Sequence, residues 1–313
     1  MIKKNILIVL LFALVILILT GMVALKKNVY TAIVPVFNPG KSESVLQNPT
    51  QKKYQQVWGA YTGNTVDSFI SFQKQVGRQA QINAIFLDWG KSFPASSANP
   101  IKNADQTLVI FWEPNNVSLD KIVSGQYDVY AKEFAMQISN YKKPVILVPF
   151  EEMNGNWDAW DGTVGNNTPA KVVLAFQHVH DLFSGVKNVK WGWAVNNDSV
   201  PDTTANAIKN YYPGDRYVDY VGVDGFNFGN PWQAYSEIFS SALQQLKTYN
   251  KPIYIFSMAC AEGPQKSAWI QDTLTKIKAD PSIAGWIWFN ENKEQNWLVS
   301  SDTASLQAFQ SGI

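Results

Sequence analysis

From about residue 54 onward the chain alternates between two kinds of pattern, and this alternation narrows its fold more than any other feature. Short runs rich in apolar, β-branched or aromatic residues fall at 57–61, 84–89, 108–112, 145–150, 189–195, 220–226, 252–258 and 283–289. Continuous apolar runs of this length, bounded by turn residues, read as strands buried on both faces. Between most of them lie segments with helical spacing, at 66–76, 127–141, 170–183, 232–249 and 266–278, and a last one follows at 304–309. The segments after the second, third and fifth runs are irregular. Eight strands alternating with helices over roughly 250 residues match the count and size of a (β/α)8 barrel. A doubly wound open sheet usually shows a Gly-rich phosphate turn after its first strand. Here the first run ends in Gly59-Ala-Tyr-Thr-Gly63, with no helix-opening G-x-G-x-x-G. The expected fold is therefore α/β, a (β/α)8 TIM barrel over residues 54–313.

The N-terminus reads as a membrane element. Lys3 and Lys4 precede an apolar run over residues 6–25, and Lys26 and Lys27 follow it. Twenty apolar residues can span the hydrocarbon core, whereas a signal-peptide core is usually shorter and ends in small residues. Gly21-Met-Val-Ala24 is a poor cleavage site. Residues 1–27 are thus expected to form an uncleaved, single-pass signal anchor in the cell membrane, with the rest of the chain exported. A cleaved signal and a secreted protein is the alternative. The flanking charges are nearly balanced, so orientation rests on export rather than on the positive-inside rule. Residues 28–53, with Pro35, Pro39, Gly40 and several Ser, Asn and Gln, suit a linker standing the domain off the membrane.

Composition excludes several function classes. A net charge of +1 leaves no electrostatic footprint for nucleic acid. Cys260 is the only cysteine, so neither an intrachain disulfide nor a multi-cysteine metal site can form. His178 and His180 sit two apart in a helical pattern and face different directions, which suits structural or surface roles rather than a metal pair. With no phosphate loop or dinucleotide motif, no cofactor and no metal are expected.

The chemistry concentrates in Val148-Pro-Phe-Glu-Glu-Met-Asn-Gly-Asn-Trp-Asp-Ala-Trp160, at the end of the fourth run. A carboxylate, an amide and two indoles in one loop suit sugar cleavage. The acid protonates a glycosidic oxygen, the amide holds a hydroxyl, and the indoles stack on a pyranose face. Glu152 is the expected acid, Asn154 the hydroxyl contact, and Trp157 and Trp160 the platforms. Glu151, its neighbour, is expected to point away from the cleft because adjacent strand residues alternate faces. Barrel active sites lie at the carboxyl ends of the strands. There the other runs place Asp88 and Trp89, Trp112 and Glu113, Asp224, Ser257, Trp288 and Asn290. Trp89 and Trp288 could line the cleft or pack the core, and Asp224 could touch substrate or be a buried hydrogen-bonding residue. Glu113 precedes Pro114 and suits a structural role.

These residues also form a family pattern. Gly59-Ala-Tyr61, Phe86-Leu-Asp-Trp-Gly90, Glu152-Met-Asn-Gly-Asn-Trp157, Tyr212-Pro-Gly-Asp215, Asp219-Tyr-Val-Gly-Val-Asp-Gly-Phe-Asn227, Lys251-Pro252 and Gly285-Trp-Ile-Trp-Phe-Asn290 resemble glycoside hydrolase family 26, the β-mannanase family, over about residues 57–310. The resemblance implies a retaining endo-β-glycanase with two glutamates, an acid/base after strand four and a nucleophile after strand seven. It puts Glu152 at the acid/base. At the nucleophile position stands Ser257, in Lys251-Pro-Ile-Tyr-Ile-Phe-Ser257. The Arg and His usual near the acid/base are Val148 and Glu151, and the Tyr usual beside the nucleophile is Phe226. A serine without an adjacent base is a poor nucleophile, and it offers no charge to an oxocarbenium-like transition state.

Three readings follow. Another carboxylate could stand in, Glu262 first and then Asp224 or Glu291, with inversion favoured if the pair is widely spaced. The barrel could bind glycan without cleaving it. Ser257 could also be an engineered knockout, which an intact membrane segment argues against. The implied partner is a β-linked polysaccharide of β-mannan type, with β-1,3/1,4-glucan and xylan as alternatives.

Overall fold

The computed structural model describes residues 53–313. The anchor expected over residues 6–25 and nearly all of the linker lie outside the described residues. Among the described residues, no helix is long and apolar enough to cross a membrane.

Eight strands close into a barrel in chain order: β1 (Val57–Tyr61), β2 (Ile82–Asp88), β3 (Thr107–Glu113), β4 (Val145–Pro149), β5 (Val189–Asn196), β6 (Tyr220–Asn227), β7 (Ile253–Cys260) and β8 (Ile283–Phe289). Every neighbouring pair is parallel, and β1 closes on β8 from Val57 opposite Gly285 to Tyr61 opposite Phe289. The helices are α1 (Val66–Val76), α2 (Ala95–Asn103), α3 (Leu119–Val123), α4 (Asp128–Tyr141), α5 (Pro169–Leu182), α6 (Tyr235–Lys247), α7 (Lys266–Ala279) and α8 (Thr303–Gly312). The expected barrel is present, with its strands within two residues of the apolar runs.

The irregular units differ from one another. After β2, α2 forms despite Pro100 in its interior, which breaks the apolar spacing in the sequence. After β3 come the short α3 and the longer α4. After β5 no α-helix forms; three 3-10 turns, Thr204–Asn206, Ile208–Tyr211 and Asp215–Tyr217, bridge to β6. Pro201, Pro213 and Gly214 punctuate that segment too densely for a longer helix. Local signals fix the clearest helices. Thr65 caps α1 through its hydroxyl to the Ser68 N–H at 3.2 Å, and Gly77 ends the helix at φ 71°. Thr168 caps α5 in the same way, with Pro169 in its first turn.

The core has two layers. Inside the barrel pack Ile82, Ala84, Val109, Phe111, Ile146, Val148, Ala194, Phe256 and Ile287. A larger layer joins the outer strand faces to the helices. Phe256 fills the interior because β5 and β6 have glycines there. A Cβ on Gly222 would come within 2.3 Å of the Phe256 ring, and one on Gly192 within 2.6 Å. The register of β6 against β7 slips at this level, from Val223 opposite Ile255 to Asp224 opposite Ser257. β7 thus has one extra residue at Phe256, and such a bulge re-aims the residues that follow it.

Candidate active site

In a closed parallel barrel, all strands end on one rim, so Glu152, Asp224 and Ser257 share it. The chain reverses sharply after β4. Phe150 and Glu152 both take left-handed backbone conformations, at φ 56° and 55°, unfavourable for side-chain-bearing residues. The turn is held by Glu152 N–H to the Ala194 carbonyl at 3.1 Å and by Gly155 N–H to the Glu152 carbonyl at 2.7 Å. Asp161 closes the loop by accepting from the Trp157 and Asp158 amides at 2.9 and 3.0 Å. Non-glycine strain of this kind, over-determined by its surroundings, is a feature of functional sites.

Glu152 is half-buried, and the Trp157 indole donates to its Oε2 at 3.0 Å. Burial, with the Asp158 charge second, pushes its carboxyl up to about 7, against the opposing pull of the indole bond and of Lys293. Glu152 is therefore largely protonated at mildly acidic pH and titrates near neutrality, as a general acid requires. Trp157 is 48% exposed and leaves a face open to solvent.

Asp224, on β6, is 2% exposed. Its carboxyl accepts from the Ser257 backbone amide, while its Oδ1 has no hydrogen-bond partner among the described residues. Burial first, and then the Glu152 charge, hold it well above the usual carboxylate range. Ser257 beside it is 5% exposed. Phe226 is half-buried, edge-on to Phe289 and against Trp297, and Phe228 beyond it is 53% exposed.

Several expected contacts lie elsewhere. Trp160 is fully buried and donates to the Glu151 carbonyl at 2.8 Å, so it has no face for a sugar ring. Asn154 is also fully buried. Its amide donates to the Asn196 carbonyl at 3.0 Å and accepts from the Asn196 N–H at 2.8 Å, which ties the β4 loop to the end of β5. Trp288 is buried, with its indole on the Trp297 carbonyl at 3.0 Å. Trp89 stacks on Trp112 at 4.5 Å and is 8% exposed. These indoles are rim packing. Glu262 pairs with the buried Lys266 at 3.3 Å, and Lys266 also donates to the Asn296 carbonyl at 2.9 Å. That partnership gives Glu262 a structural task. His178 and His180 bond to Asp128 and Asp181 at 2.7 and 3.2 Å on α5.

Sequence reasoning passed over Asp158 and Asp161, and gave Glu113 a structural role. Asp158 is pushed up to about 6 by burial and acts electrostatically on Glu113, Glu151 and Glu152. Asp161 is buried and pushed up to about 8, chiefly by burial. Their spacing in a tight turn directly after Trp157 was the available signal. Among the described residues, no group of His, Cys, Asp or Glu converges to hold a metal ion.

Comparison with known proteins agrees with this architecture. Over 271 residues the chain is 34% identical to endoglucanase H of Acetivibrio thermocellus, covering 82% of this chain and 30% of that protein. It is 25% identical over 158 residues to a mannan endo-1,4-beta-mannosidase of Bacillus subtilis, covering 48% of this chain and 36% of that one. The chain thus spans only a minor part of either relative's length. A solved GH26 β-mannanase from Bacteroides ovatus superposes with a TM-score of 0.63 at 17% identity, over 84% of this chain and 88% of that one. The model of glycosyl hydrolase family 26 matches residues 54–307. Since that match runs almost from the first strand of the barrel to its last helix, the chain belongs to glycosyl hydrolase family 26.

Proposed function

We propose that the barrel binds β-1,4-linked polysaccharide of mannan or glucan type at the carboxyl ends of its strands, with Glu152 as proton donor and without the covalent retaining route. The observation that carries this is the Glu152–Trp157 pair. A carboxyl pushed up to about 7 is hydrogen-bonded to an indole whose face is open, so an acid and a sugar platform share one loop. The names of the relatives support the polysaccharide class.

The β7 side supports the absence of the retaining route. Retention needs a carboxylate about 5–5.5 Å from the acid. In this reading Ser257 occupies the nucleophile position, and β7 contains no acidic residue. Asp224 is the nearest substitute on the adjacent strand. Burial holds the Asp224 carboxyl well above the usual carboxylate range, which disfavours the ionised form that a base acting on water requires. Binding with little or no hydrolysis follows. Within this proposal, residues 6–25 anchor the barrel to the outer face of the cell membrane, because an apolar stretch of that length can span it.

Reducing-sugar assays and calorimetric titrations on mannan- and glucan-derived oligosaccharides test the proposal. The expected result is binding without vigorous turnover. Rapid hydrolysis lost in Glu152→Gln would show that a second carboxylate acts, and the inert-barrel reading would fall.

A further inference from the structure

Proton donation by Glu152 uses only part of the acidity gathered on this rim. Consecutive strands end in Asp88 on β2, Glu113 on β3 and, just past β4, Glu151 and Glu152; Asp158 follows in the loop. The Asn115 amide donates to Asp88 at 2.7 Å and to Glu113 at 3.3 Å, so those two carboxylates stand together. Glu113 in turn meets the Glu151 carboxyl, a contact that requires a proton between them. Glu151 is 5% exposed, and its Oε2 has no conventional partner among the described residues. Among the described residues, no Lys, Arg or His forms an ion pair with any of these five. Lys293, whose charge reaches Glu152 and Asp158, is itself paired with Glu294 at 2.9 Å.

Carboxyls kept together without cations call for a positive partner. A proton shared by Glu113 and Glu151, and another on Glu152 below about 7, still leave Asp158 without a paired cation once it ionises above about 6. A metal ion would need three or more ligands converging on one point, and no such group exists among the described residues. The acids instead follow successive strand ends around the rim, from β2 to the loop after β4, which suits positive charges spaced along a chain.

We propose that the cleft is built for a cationic glycan, a β-1,4-linked polysaccharide whose sugars have free amino groups, with an ammonium held by Glu113 and Asp158 in front of the buried Glu151. This deepens the glycan-binding reading and rests on it. The Trp157 indole bonds to Glu152, and the Asp158 charge acts on that same carboxyl, so a pyranose stacked on the indole lies close to both acids. Glu113 and Asp158 are half-buried and accessible, while Glu151 is buried. An ammonium takes over the role of the proton that Glu113 and Glu151 share, so binding releases a proton.

The test is calorimetry on the full chain in mild detergent near pH 6, with β-1,4-linked hexasaccharides of glucosamine, N-acetylglucosamine, glucose and mannose. The expected result is about tenfold or tighter preference for the glucosamine hexamer, weakening as salt is raised. Proton release should appear as a dependence of the measured heat on the buffer's ionisation enthalpy. Glu113→Gln and Asp158→Asn should each reduce the preference, with melting curves confirming that the variants fold. Equal or tighter binding of a neutral or acetylated hexamer overturns the cationic-ligand inference and leaves the glycan reading standing. Binding of no hexamer overturns both. Displacement of the glucosamine hexamer by stoichiometric calcium chloride identifies a metal site and also overturns the inference.

Discussion

Replacing Glu152 by Gln should stabilise the protein at pH 8 and leave it nearly unchanged at pH 4.5. The Glu152 carboxyl is raised from 4.5 to about 7 in the folded state, mainly by burial and by Asp158. Between those values the folded chain holds a proton that the unfolded chain has released. Stability therefore falls as pH rises through this window, and the full penalty applies above 7. A shift from 4.5 to about 7 corresponds to about 3 kcal/mol at 1.36 kcal/mol per unit. Glutamine has nearly the same shape, offers an oxygen to the Trp157 indole, and never ionises. At about 2 °C per kcal/mol for a domain of this size, Tm should rise by about 6 °C at pH 8 and by roughly zero at pH 4.5. Circular-dichroism melts of both proteins at the two pH values measure this. The same Tm change at both, or a loss at pH 8, would refute the idea that burial of an ionisable Glu152 weakens the fold. In the wild type, Asp158 and Asp161, raised to about 6 and about 8, add to the same trend. Wild-type Tm should accordingly decline from pH 5 to pH 8.5.

The remaining predictions concern the cleft and the N-terminus. Ser257→Glu with Phe226→Tyr should create retaining hydrolysis that Glu152→Gln abolishes; a folded, glycan-binding but inert double variant would point instead to Val148 and Glu151. Trp157→Ala should weaken glycan binding about tenfold, through lost stacking, while changing stability by about 1 kcal/mol or less. Trp160→Ala, at a fully buried site with a hydrogen-bonded indole, should cost about 3–5 kcal/mol, visible as a large drop in Tm. If the proposed anchor is retained, N-terminal sequencing of the exported protein should find residues 6–25 still attached; a start near Lys26 would show cleavage instead.

The order of the strands was legible in the sequence because both faces of a barrel strand are buried, which leaves continuous apolar runs such as 283–289. The family strings were also legible, since they are contiguous, and they put Glu152 at the carboxyl end of β4. What the sequence could not determine is which of several similar side chains faces the cleft. Trp157 and Trp160 lie three residues apart in one loop, yet one is 48% exposed and the other fully buried, because Asp161 draws the loop closed and turns Trp160 onto the Glu151 carbonyl. Asn154 reads as a sugar contact until β5 is brought beside it. The meeting of Glu113 with Glu151, and the reach of Asp158 to Glu113, depend on strand closure between residues about 40 apart in the chain. Local pattern decides what forms; contacts between strands distant in sequence decide which carboxyls share a proton and which indole stays open.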